Sequence, residues 1–109
     1  MAKDDYFVIV YAILKYLYDC LKSGETADFE VIRADSFSIP ESYWRYIIEY
    51  LKKDGLIDGV TVRETKTGML IQDRGIRITP RGISFLFENS LMEKVKRTLK
   101  DIKEIIPFA

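Results

Sequence analysis

The apolar positions of this chain recur with two different periods, and each period predicts its own kind of element. Between Asp5 and Leu21 the residues Phe7, Val10, Tyr11, Leu14, Leu17, Tyr18 and Leu21 stand three and four apart. That spacing lines one face of an α-helix. Val8, Ile9 and Ile13 widen the stripe, so this helix is expected to be covered on more than one side. Asp4 or Asp5 is placed to cap its start and Gly24 to end it. Residues Glu25 to Phe37 are less regular. Phe29, Val31 or Ile32, and Phe37 are their candidate anchors, and they predict an extended piece near Ala27 followed by a short helix from Asp28 to Ala34.

The best-marked helix follows, over Pro40 to Asp54. Trp44, Ile47, Ile48 and Leu51 share one face. Ser38 and Glu41 have the Ser-x-x-Glu spacing of a capping box, and Pro40 suits a first turn, where its missing N–H costs nothing. Lys52, Lys53 and then Gly55 suit the other end. Leu56 to Lys66 switches to an alternating, β-branched pattern through Ile57, Val60 and Val62. Thr65-Lys66-Thr67-Gly68 marks a hairpin turn and Met69 to Gln72 the return strand. Asp73-Arg74-Gly75 reads as a kink or bulge before Ile76 to Ile78. Thr79 then caps another helix, with Pro80 in its first position and Ile83, Leu86 and Phe87 on its core face. From Ser90 a last helix carries Leu91, Val95, Leu99, Ile102 and Ile106 before Pro107.

This order predicts an α+β, mostly helical fold: a winged helix-turn-helix with a β-hairpin wing and an extra C-terminal amphipathic helix over 90–106. The 109 residues suit one domain, 1–109. Two motifs punctuate the order. In "YLKKDGLI" a helix closes on basic residues and a glycine before a strand; in "ITPRGISFL" a strand turns into a helix. Together with "YAILKYL" in the first helix, "YLKKDGLIDGV", "ITPRG" and "LKDIKEII" in the last, they run along nearly the whole chain. By these motifs the sequence resembles the YjcQ-like family of small bacterial and phage winged-helix proteins. The resemblance implies a winged-helix fold. It carries over no catalytic or ligand residues.

Charge and composition narrow the function. Seventeen basic and seventeen acidic residues cancel, so no excess of cations points to a polyanion. No histidine is present, and the one cysteine, Cys20, reads as a small buried side chain. That excludes His-based triads and thiolate zinc sites. Neither a Walker loop nor a dinucleotide fingerprint occurs. The expectation is a chain that is not an enzyme, with no cofactor, no metal and no evident small-molecule ligand. The N-terminus lacks a signal-peptide pattern, and the apolar run Tyr6 to Leu14 is too short for a bilayer. A cytoplasmic protein with no membrane partner is expected.

The helix over Pro40 to Asp54 occupies the recognition-helix position. Ser42, Arg45 and Tyr46 then face bases or phosphates, and the first-turn N–H groups face a phosphate. Lys53 on the helix, Arg63 and Lys66 on the wing, and Arg74, Arg77 and Arg81 beyond it complete a candidate DNA-binding set. Against it, Arg45, Lys52 and Lys53 are balanced by Glu41, Glu49 and Asp54, and the segment Glu25 to Phe37 is net negative by three. A merely solvated face explains the same charges. Tyr43, Tyr46 and Tyr50 form a ridge that either completes the core against the first helix, the favoured expectation, or meets a partner. The last helix either packs on its own domain or pairs in a homodimer through Leu91, Val95, Leu99, Ile102 and Ile106. Two functions follow: a DNA-binding transcriptional regulator acting as a dimer on double-stranded DNA, or a winged-helix protein-interaction module that binds no DNA.

Overall fold

The computed structural model describes residues 5–98. Its elements are α1 (Asp5–Ser23), a 3-10 turn (Phe29–Ile32), α2 (Ala34–Phe37), α3 (Glu41–Lys53), β1 (Ile57–Thr65), β2 (Gly68–Ile78), α4 (Pro80–Glu88) and α5 (Ser90–Thr98). The two strands pair antiparallel as one hairpin. The fold is α+β and mostly helical, with a winged-helix-like arrangement. α2 and α3 stand as the helix-turn-helix pair, and the hairpin as the wing.

α1 is the central element. Every residue from Val8 to Leu14 is buried, as are Leu17 and Cys20. The widened apolar stripe therefore means burial on several sides; Leu21, at its end, lies 51% exposed. α3 lays Trp44, Ile47, Ile48 and Leu51 against this core. The Trp44 indole N–H donates to the Ile32 carbonyl at 2.6 Å, and its ring meets the edge of Phe29 at 5.5 Å. A buried indole needs such a partner. The contact pins the 3-10 turn to α3.

Three local expectations change. The short helix expected over Asp28 to Ala34 is split at Arg33, whose extended backbone separates the 3-10 turn from α2. The capping box does not form. Ser38 is left-handed (φ 55°) and ends α2, its N–H donating to the Asp35 carbonyl at 3.3 Å. Pro40 becomes the N-cap of α3, with no side-chain cap, and Glu41 pairs with Arg33 at 3.0 Å. On α4 the buried positions are Gly82 and Leu86, while Ile83 and Phe85 are half-buried. Phe87 is 52% exposed, its ring T-shaped to that of Tyr18 with centroids 5.0 Å apart.

The hairpin is closed by Lys66 and Thr67, with Thr65 opposite Gly68. The bulge lies where the sequence placed a kink. Asp58 faces Arg77 and Val60 faces Asp73, so β2 spends two more residues than β1 over that span. Asp73 Oδ1 accepts the N–H groups of Gly75 and Ile76, both at 2.9 Å. Gly59 (φ 78°) lies so close to the Gly75 carbonyl that no side chain fits there.

The base of the wing is locked to α4. The Thr79 N–H donates to the Leu56 carbonyl at 3.1 Å, its hydroxyl donates to the Gly55 carbonyl at 2.5 Å, and the same oxygen accepts the Gly82 N–H at 3.0 Å. A methyl on Gly82 would overlap the Leu56 carbonyl oxygen. Gly82→Ala is therefore expected to destabilise the fold by up to about 2 kcal/mol net. Overlap with rigid backbone costs about 1–3 kcal/mol and outweighs the ~1 kcal/mol helix-propensity gain. Urea unfolding checks this; a midpoint at or above that of the wild type contradicts it.

Candidate nucleic-acid interface

α3 and the wing enclose a groove of about 440 Å³ lined by Glu49, Lys52, Lys53, Val62, Glu64 and Met69. Strand register explains its chemistry. Directly opposed residues share a face, so Val62 with Ile71 and Glu64 with Met69 look toward α3. Thr61 with Gln72 and Arg63 with Leu70 look the other way. The groove thus carries Glu49 and Glu64 beside Lys52 and Lys53, and alternates in sign. Lys53 is further engaged by Glu49, at 3.2 Å.

The outer face of the wing differs. It holds Arg63 beside the 40% exposed Leu70, and Arg74, which donates to the Gln72 side-chain oxygen at 3.4 Å. Lys66 stands exposed in the turn between the strands. The carboxylates of the hairpin are turned away or engaged. Glu64 lines the inner groove, Asp73 Oδ1 accepts two backbone N–H groups, and Asp58 pairs with Arg77 at 2.7 Å.

The remaining candidates scatter. Arg45 is half-buried, and its Nη1 donates to the Met69 carbonyl at 2.9 Å. Ser42 and Tyr46 are exposed on α3. The first turn of α3 already carries the Glu41 carboxylate. Arg77 is committed to Asp58 at the wing base, and Arg81 lies beside Gly55 at the end of α3. The wing arginines Arg63 and Arg74 are placed on one face of the hairpin, Arg74 through its bond to Gln72; Arg45, Arg77 and Arg81 are engaged or placed elsewhere. Glu64, Leu70 and Gln72 were not singled out from the sequence, although alternation from Val62 puts Glu64 on the inner face and Arg63 on the outer.

The tyrosine ridge divides. Tyr43 packs on the core, whereas Tyr46 (51%) and Tyr50 (37%) are exposed. Tyr6 of α1 joins them, 6.3 Å from Tyr46, and Tyr46 lies 4.7 Å from Tyr50. On α5 the buried side chains are Met92 and Val95, in a helix that packs on α1 and α4. Leu91 is exposed, because the inward face of the described part of α5 pairs Val95 with Met92 and not with Leu91. Leu99, Ile102, Ile106 and Asp4 lie outside the described residues.

A family model described as YjcQ protein matches residues 11–105. The chain belongs to the YjcQ family. Three of the four motifs that suggested the family lie wholly inside that match, and "LKDIKEII" lies inside it but for Ile106. No curated protein and no solved structure gives a significant match. Among the described residues of this YjcQ protein, no helix is long and apolar enough to cross a membrane. No group of three or more Cys, Asp and Glu residues among them could hold a metal ion.

Burial raises the Tyr6 hydroxyl above its ordinary value near 10, with Tyr46 and Asp54 adding to the effect. A raised folded pKa means stability that is complete below pH 10 and is lost as pH climbs through the folded value. Urea midpoints measured from pH 8 upward should stay level and then fall above about pH 10. Tyr6→Phe should flatten part of that fall. An unchanged alkaline slope in Tyr6→Phe contradicts the assignment.

Proposed function

We propose that this chain is a double-stranded-DNA-binding winged-helix module, the DNA-contacting unit of a small cytoplasmic regulator, which meets the duplex through the outer face of its wing. One observation carries the reading. Arg63 and Arg74 share the outer face of the wing, with Lys66 at the tip, and the nearby carboxylates Asp58 and Asp73 are held by Arg77 and by backbone N–H groups, whereas the groove beside α3 holds Glu49 and Glu64. Phosphates are drawn to a surface of one sign, and a carboxylate inside the contact repels them. The wing cations supply backbone contacts, and α3 stands beside the duplex without supplying its main charge. Three contacts per protomer are few. Two copies on one duplex double them, which is the role proposed for a dimer.

The exposed Tyr46 and Tyr50 favour a second reading, a protein-interaction module with that ridge as its surface, since tyrosine is enriched at interfaces.

Fluorescence anisotropy with a labelled duplex of arbitrary sequence separates the two. Three phosphate contacts give a slope of log K against log salt of about −2.7 per bound protomer. Arg74→Ala and Arg63→Ala should each weaken binding to all sequences and reduce the slope by about 1 per protomer. No binding at micromolar protein in low salt favours the interaction module.

A further inference from the structure

Arg45 lies on the flank of α3 that looks toward the wing, one turn before the groove residue Glu49. Its Nη1 reaches across 24 positions of chain to the Met69 carbonyl at 2.9 Å. Met69 pairs with Glu64 next to the Thr65–Gly68 turn, so the anchor lies near the wing tip. The tip needs one. Residues 63–68 are all exposed, and a two-stranded hairpin is marginal by itself. The buried hairpin side chains Ile57, Val60, Ile71, Ile76 and Ile78 stop short of the tip. Gly68 lets the turn come close: a Cβ there would stand 3.5 Å from Arg45 Nη1. No carboxylate pairs with Arg45 among the described salt bridges, and Glu49 is taken by Lys53.

We infer that Arg45 is a positioning residue: a strut from α3 to the wing tip that fixes the angle at which Arg63 and Arg74 meet a duplex, without itself touching base or phosphate. This rests on the wing-borne DNA reading above. The planar guanidinium suits the task because its donors hold fixed directions. The half-buried Arg45 side chain is used inside the protein, where a reading residue would project outward.

The test compares wild type, Arg45→Ala, Arg45→Lys and Arg74→Ala. One measurement is anisotropy with a labelled duplex over several salt concentrations. The other is hydrogen exchange of the wing amides around Leu70 to Gln72. Arg45→Ala should weaken binding by about three- to tenfold, the scale of one net hydrogen bond. It should leave the salt slope unchanged and speed exchange in the wing. Arg45→Lys, which can still donate to the carbonyl, should recover part of both. Arg74→Ala should instead reduce the slope by about 1. A reduced slope or lost sequence preference in Arg45→Ala would make Arg45 a contact and overturn the inference, as would unchanged binding. If the wild type binds no duplex, the DNA proposal falls and exchange alone judges the strut: unchanged wing exchange in Arg45→Ala overturns it.

Discussion

The wing leaves the body of the protein at one small knot of backbone, and its placement depends on that knot. The Gly55 and Leu56 carbonyls both point at Thr79, one taking its hydroxyl and the other its N–H. The Gly82 N–H closes back on the same hydroxyl oxygen. The end of α3, the start of β1, the end of β2 and the start of α4 therefore meet within three residues of Leu56 and of Thr79. Buried backbone groups must find partners, and here each element supplies the other's. Gly82 has no side chain because the Leu56 carbonyl occupies that space.

From that fixed base the hairpin carries its polarity outward. The bulge at Gly59 and Gly75 resets which side chains face α3. Beyond it, strict alternation sends Val62 and Glu64 inward and Arg63 outward. A one-residue change of register would reverse every one of them. The segregation of charge that supports a DNA surface thus follows from backbone geometry. Whole-chain composition is blind to it, because net charge averages the two faces to zero.

Much of the fold was legible in the sequence. The stripe of α3, the two-residue turn before Gly68, and Thr79 with Pro80 each carry their signal within a few residues, and each formed. So did the kink at Asp73, through a side chain bonding its own neighbours. What failed depended on residues distant in sequence or on competition between partners. Ser38 and Glu41 have capping-box spacing, but Arg33 takes Glu41 and the left-handed turn takes Ser38. Phe87 reads as core by spacing, yet it lies 52% exposed beside Tyr18. Arg45 reads as a base contact because no local pattern shows that the Met69 carbonyl stands in reach. The candidate surface was legible as a list of cations and illegible as a face, since pairing with Glu49 and Asp58 removed Lys53 and Arg77 from it.

The central claim, that the wing and not α3 meets the duplex, is tested most directly by amide chemical-shift mapping of the labelled protein as a short duplex is added at low salt. The account predicts shifts at Arg63, Leu70, Gln72 and Arg74, with Ser42 and Tyr46 little changed. Shifts centred on Ser42 to Tyr46 over a silent wing would contradict it.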